Sequence, residues 1–263
     1  MTAKKMIAVS ALYLAAGIAG GVGTAGAAVV TESVDFSGNL LPAGWSLITN
    51  LSVGNNVHIQ NNRLEMGQVD SWGGITRSVN TVGVTQVKIE YDTNIANVFW
   101  GQGSGVELIH NMSNRYQEYL SAGMGKSGYG LNSMHILVFG TTPQTPAATL
   151  LDQYSALNVG DYHMTSVFED GQVSFTATKI GDPLSTYSIG VFSVAGFQLA
   201  SMHNLLIYGG TTTGDSTWID NVLVTTTSVP EPAVLLLFAS AGVALAFTRR
   251  RKQHCANPNI KTE

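Results

Sequence analysis

The amino-acid sequence predicts an all-β fold, a sandwich or barrel of roughly a dozen short strands. Three observations lead there. Between Ala28 and Ser228 no long stretch carries the three-to-four-residue apolar spacing of an amphipathic helix. Short runs instead alternate apolar and polar residues, the period of a strand with one buried face. Gly, Asn and Asp punctuate those runs, and Gly alone accounts for 29 of 263 residues.

Taken in order, the elements are as follows. Val34-Asp35-Phe36 and Gly44-Trp45 open the domain, and Asn62-Arg63-Leu64-Glu65-Met66 follows. Gln86 to Tyr91 alternates strictly. Tyr162–Glu169 and Gln172–Ile180 flank Asp170-Gly171, a dipeptide that favours a tight hairpin turn. Leu205–Tyr208 and Trp218–Val224 supply late strands. No fixed repeat length is present, which disfavours a solenoid or propeller. Trp45 and Trp218 fall within strand patterns and are expected in the core, whereas Trp72 and Trp100 are expected in glycine-rich loops.

These pieces, with Gly160-Asp161-Tyr162-His163 and closing Trp218-Ile219-Asp220-Asn221-Val222, resemble concanavalin A-like (laminin G-like) jelly-roll domains. The resemblance implies a jelly-roll β-sandwich whose first and last strands lie side by side. That fold hosts lectins and hydrolases alike, so it does not by itself choose a function.

Charge narrows the field. Residues 28–229 hold six basic residues against fifteen acids, a balance of −9, although the whole chain carries only −4. Such a domain repels phosphate backbones, which argues against a nucleic-acid partner. The single cysteine, Cys255, lies beyond the domain, which therefore has no disulfide and relies on its core.

Both ends read as targeting segments. Lys4 and Lys5 precede an apolar stretch from Met6 to Ala19, and Ala25-Gly26-Ala27 supplies the small-x-small pattern of a signal-peptidase site. Residues 1–27 are thus expected to be a signal peptide, read by the Sec translocon and removed after Ala27. At the other end, Val229-Pro230-Glu231-Pro232 leads into an apolar run, Ala233 to Phe247, and then Arg249-Arg250-Arg251-Lys252. Fifteen helical residues span about 22 Å, short of a hydrocarbon core of about 30 Å, so flanking residues and snorkelling arginines must help. The basic cluster is expected to stay cytoplasmic, leaving the β domain outside.

Pro-Glu-Pro, apolar helix and arginine cluster, in that order, resemble the PEP-CTERM sorting signal of Gram-negative bacteria. The resemblance covers residues 229–253; residues 254–263 continue as a tail where such proteins usually stop. It implies a transient inner-membrane anchor cut near Pro230, Glu231 and Pro232 by an exosortase. It also implies delivery to the cell surface or extracellular matrix, in association with exopolysaccharide and biofilm.

Within the domain (residues 28–228), motifs of catalysis are incomplete. Gly123-x-Gly125-x-x-Gly128 has the spacing of a dinucleotide loop but is followed by Tyr129–Phe139, which reads as loop and strand rather than helix. Glu90-x-Asp92 puts two carboxylates on one strand face, expected at a solvent-facing edge beside Lys88. Laminarinase-type hydrolases of the concanavalin fold add a third carboxylate, but Asn94 and Ile95 stand in those places here. The five domain histidines, His163 among them, show no metal-ligand spacing. Asp220, flanked by Ile219 and Val222 in the closing strand, is a candidate Ca²⁺ ligand together with Asp35 or Glu32 of the opening strand. Trp72 and Trp100 are candidate stacking platforms for a sugar ring. The expected function is a non-catalytic, exported surface or matrix protein. The alternatives are a carbohydrate-binding module that holds polysaccharide, or a glycoside hydrolase without a recognisable catalytic motif.

Overall fold

The structure, a computed structural model, describes residues 27–49, 57–68, 71–96, 102–114, 119–124, 133–139, 149–155, 157–211 and 214–229. Fifteen strands run through them: β1 (Ala28–Val34), β2 (Ser46–Ile48), β3 (Val57–Gln60), β4 (Arg63–Gln68), β5 (Ser71–Ser78), β6 (Val84–Ile95), β7 (Gln102–Ile109), β8 (Tyr119–Met124), β9 (Ser133–Phe139), β10 (Thr149–Ser155), β11 (Gly160–Glu169), β12 (Gln172–Lys179), β13 (Thr186–Ser193), β14 (Asn204–Thr211) and β15 (Gly214–Ser228). Among the described residues the only helices are three short 3₁₀ turns. One sheet has eight strands in the order β13-β12-β11-β6-β15-β4-β3, with β1 also beside β15. The other has seven, β10-β9-β8-β7-β14-β5-β2. All pairings are antiparallel, and the first strand lies against the last, Ala28 facing Ser228 and Val34 facing Val222.

Period-two patterning sets the layers. In β6, Val87, Ile89, Tyr91, Thr93 and Ile95 are buried while Gln86, Lys88, Glu90, Asp92 and Asn94 point away. β11 does the same with Tyr162, Met164 and Phe168 inward. These side chains meet Leu108, Leu120, Ile136 and Ile207 from the seven-stranded sheet in one core. A one-residue slip of any of these strands would turn its apolar set to water, so the core fixes register. The Tyr91 hydroxyl is buried with them and lies 3.4 Å from Ser104 Oγ across the two sheets. Burial pushes the Tyr91 phenol well above its usual range, against a weaker downward pull from Ser104.

The seven-stranded sheet is buried on its second face as well. Ile109, Tyr119, Leu206 and Tyr208 form a separate cluster there, with Ile48, Trp72 and Met112 packed against it. Glycines supply the floor. A Cβ on Gly210 would fall 2.3 Å from Trp72 Cδ2, and one on Gly105 would fall 2.7 Å from the Tyr208 hydroxyl oxygen. Both aromatic side chains therefore lie against backbone that only glycine leaves open.

Two hairpins follow their turn chemistry. Asn61 and Asn62, at φ 53° and 57°, make a two-residue left-handed turn between β3 and β4. Asp170-Gly171, with Gly171 at φ 69°, joins β11 to β12. Asp170 also accepts the backbone N–H of Leu199 at 2.7 Å, pinning the turn to a neighbouring loop.

Candidate functional site

The site lies on the outward face of the eight-stranded sheet, where β6 runs between β11 and β15. Register brings three distant residues into one row: Asp92 faces His163 on one side and Asp220 on the other. Glu90, one step along β6, shares their face. The Glu90-x-Asp92 pair thus sits on a central strand, not at the sheet edge that its alternation suggested. Alternation marks a half-buried strand but says nothing about its rank in the sheet.

A bulge shapes the row. Between Asp220 and Leu223 the β15 register slips against β6, and Asn221 adopts φ 51°. Asparagine tolerates this left-handed conformation better than a branched residue would. The kink lets Asn221 Nδ2 donate to Asp92 Oδ2 at 2.7 Å, while the Asn221 backbone N–H donates to Asp220 Oδ1 at 2.8 Å. His163 Nδ1 lies 2.7 Å from Asp92 Oδ1 and its Nε2 lies 3.7 Å from Glu90 Oε1. Lys88 Nζ is 2.8 Å from the same Glu90 oxygen. Both Asp92 oxygens are therefore engaged, and the imidazole bridges two carboxylates.

The rim comes from the opening strand. After Val34 the chain turns through Asp35, whose Oδ1 accepts the Ser37 N–H and whose Oδ2 accepts the Ser37 hydroxyl, each at 2.8 Å. This turn is tied to the β3–β4 hairpin: Asn62 Oδ1 accepts the Gly38 N–H and Asn39 Oδ1 accepts the Asn62 N–H. The result is a cleft of about 400 Å³ lined by Asp35, Glu90, His163, Asp220 and Asn221, with Val34, Phe36 and Val222 also contributing. Carboxylate and amide groups held by neighbours, beside apolar surface, can accept hydrogen bonds from several hydroxyls at once.

The two sequence-predicted metal candidates, Asp35 and Asp220, do line one cleft. The alternative, Glu32, is withdrawn from it: Glu32 is ion-paired with Arg77 and accepts Trp45 Nε1–H at 3.1 Å. Among the described residues no group of three or more His, Cys, Asp or Glu side chains is placed to hold a metal ion. Asp220 itself is half-buried on the outward face rather than sunk in the core.

Trp72 is on β5, not in a loop, and belongs to the far face of the other sheet. The glycines around it, read as loop formers, make room for its ring. Trp45 is buried as expected, but Trp218 is half-buried on the outward face, with the Arg63 guanidinium 5.0 Å above its ring. The same face of that hairpin holds a largely buried carboxylate, Glu65, paired directly opposite Trp218. Burial works to raise the Glu65 carboxyl, but hydrogen bonds from Asn61, Gln60 and Arg63, with the Arg63 charge, hold it below its ordinary value. Ala27 is exposed just before β1. Ala25, Trp100, Pro230, Glu231, Pro232 and the cluster Arg249, Arg250, Arg251 and Lys252 lie outside the described residues. Among the described residues no helix is long and apolar enough to cross a membrane.

The sequence gives His163 no metal-ligand spacing and Asn221 no role, so neither stands out before register is known. The asparagine between Asp220 and Val222 was the available signal, since Asn inside a β-branched run favours a bulge.

No protein-family model matches the chain, and no curated protein sequence matches it. Solved structures do. Arcelin-5, a lectin-like defence protein from Phaseolus vulgaris, aligns with a TM-score of 0.53 at 8% identity over 77% of this chain and 99% of that one. A Bauhinia forficata lectin in complex with GalNAc aligns at 0.52 with 6% identity, over 77% and 99%. Lectin I from Ulex europaeus, in complex with the methyl glycoside of α-L-fucose, aligns at 0.51 with 12% identity, over 76% and 98%. At these identities the likeness establishes architecture alone: the domain has the two-sheet antiparallel β-sandwich fold that these lectins have.

Proposed function

We propose that the mature chain is an exported, non-catalytic carbohydrate-binding module, sorted through its C-terminal signal to the surface or matrix of a Gram-negative cell. The observation that carries the binding half is the cleft between the opening turn and the β15 bulge. Its polar groups are held before any ligand arrives, which reduces the entropy cost of binding. Asp35, Asp220 and Asn221 stand on its rim beside apolar surface, the combination that suits a sugar's hydroxyls and C–H face. The domain's negative charge favours neutral sugars over an anionic polymer, which would need bridging cations. Lectin architecture supports the same reading.

The carboxylates favour binding over hydrolysis. A glycosidase needs one carboxyl group free to donate a proton and another free to attack or activate water. Here Asp92 has both oxygens bonded and Glu90 carries Lys88. Export rests on residues 1–27, and sorting on Pro230-Glu231-Pro232, the apolar run and the basic cluster, with signal peptidase and an exosortase as the processing partners. Exopolysaccharide outside the cell is the expected ligand class. Single-site affinity in the millimolar to micromolar range, roughly −4 to −8 kcal/mol, would rise by avidity on a crowded surface.

Two experiments test the two halves. Titration of the mature protein with neutral and acidic polysaccharides should show binding to a neutral glycan that an Asp220→Ala, His163→Ala protein loses at least tenfold. Undiminished binding by that variant would remove the cleft from the account. Intact-mass spectrometry of surface material should find a chain beginning near Ala28 and lacking the arginine cluster. A mass that retains residues 249–263 would leave a plain membrane anchor in place of sorting.

A further inference from the structure

The pairing of β1 with β15 brings the two membrane-linked ends of the chain to one place. Ala28, directly after the signal-peptidase site, faces Ser228, and Val229 donates its backbone N–H to Gly83 O at 3.3 Å. That end of the sandwich is also where side chains that should be inside are not. Val29 and Val30 point to opposite faces of β1, yet they are 54% and 55% exposed, so this end of the strand stands clear of the core. Val82, beside Gly83, is 66% exposed, and Val229 is 56% exposed. Four exposed valines thus lie at the pole where both ends leave, Val29 and Val30 on opposite faces of β1.

Chain length decides what this pole meets. Only Pro230-Glu231-Pro232 separates Val229 from the apolar run beginning at Ala233. Four residue steps reach at most about 14 Å even when fully extended. The headgroup layer takes up roughly 5–8 Å of that on each side of the bilayer. The apolar run, about 22 Å as a helix against a core of about 30 Å, also draws its flanks inward rather than releasing them.

We infer that the Val29–Val30–Val82–Val229 pole is a bilayer-docking surface, seated in the lipid headgroup layer while the C-terminal anchor is intact. Docking holds Pro230-Glu231-Pro232 at the interface for the sorting enzyme and keeps the sugar cleft's sheet upright from the membrane. Cutting after the domain removes the tether and leaves four valines, too little area to hold the protein on lipid alone. The inference rests on the reading of Ala233–Phe247 as a membrane segment.

The test uses full-length protein in phosphatidylcholine nanodiscs, with Cys255→Ser as background and an environment-sensitive fluorophore on single cysteines. Val29→Cys and Val82→Cys report the pole. Leu184→Cys, 95% exposed in the β12–β13 turn at the opposite end, is the aqueous control, and Ala241→Cys reports the apolar run. Shallow nitroxide lipids should quench positions 29 and 82 several times more than position 184, and deep nitroxide lipids should quench position 241. Quenching at 241 with positions 29 and 82 no more quenched than 184 overturns the docking surface alone. A probe at 241 that stays in water overturns the membrane segment and the docking surface with it.

Discussion

Replacing Gly210 with alanine tests how the far face of the seven-stranded sheet is built. In a strand, Gly→Ala ordinarily stabilises by about 0.5–1 kcal/mol, because glycine loses more backbone freedom on folding. Here the new methyl carbon would lie 2.3 Å from Trp72 Cδ2 and 2.6 Å from Cγ and Cε3. The three nearest atoms all belong to one side chain, so the ring, and not the backbone, must yield. A tryptophan contributes 150–250 Å² of buried surface, and losing about half of that at 25 cal/mol/Å² costs roughly 2–3 kcal/mol. The net expectation is a loss of about 1–3 kcal/mol, the range found for overpacked sites. Urea unfolding followed by circular dichroism measures it, and tryptophan emission should shift to the red as the ring moves toward water. In a Trp72→Ala background the same glycine change should be neutral or stabilising, a coupling of at least about 1 kcal/mol. A stabilised Gly210→Ala protein with unchanged emission would refute the idea that glycine is there to seat the ring.

Further outcomes follow from named groups. Ser166 Oγ is buried with no hydrogen-bond partner among the described residues, so Ser166→Ala should stabilise by about 1 kcal/mol in the same urea assay. Glu65 has a folded pKa below its ordinary 4.5, so its contribution is present above that pH and fades as pH falls through the folded value. Glu65→Gln should remove that part of the acid dependence and leave a lower plateau at neutral pH. Burial raises Tyr91 and Tyr208 above their ordinary 10.0, with the Glu107 charge adding to Tyr208, so stability present below pH 10 should drop as pH rises past it. Absorbance at alkaline pH should then show at least these two phenols ionising only on unfolding. Excess Ca²⁺ and a chelator should give the same melting midpoint, because among the described residues no group of three or more His, Cys, Asp or Glu side chains is placed to hold an ion. A Ca²⁺-dependent rise that Asp220→Ala abolishes would restore an ion to the cleft.

What could be read from the residues alone was what neighbours along the chain determine. Gln86 to Tyr91 alternates, and it is a strand; Asp170-Gly171 is a turn dipeptide, and it joins β11 to β12. The resemblance to jelly rolls implied that β1 and β15 would pair, and they do. What could not be read was set by register between segments far apart. Asp92 meets His163 across 71 residues and Asn221 across 129, and no local pattern encodes either contact. The same limit explains Trp72. Neighbouring glycines look like loop residues until Gly210, paired opposite it on β14, is known to lie beneath the ring. Trp218 was misplaced for a related reason: β15 alternates, but only the pairing of Ile219 with Leu64 tells which of its faces is inward.

The most direct test of the account is calorimetric titration of the mature protein with the neutral oligosaccharide that scores highest on a glycan array. Three proteins are compared: the unmodified chain, the Asp220→Ala, His163→Ala variant, and Trp72→Ala. The unmodified chain and Trp72→Ala should bind within about threefold of each other, under about 0.7 kcal/mol, while the cleft variant should lose at least tenfold, about 1.4 kcal/mol. Absence of any bound glycan, or loss in Trp72→Ala with the cleft variant unchanged, would contradict it.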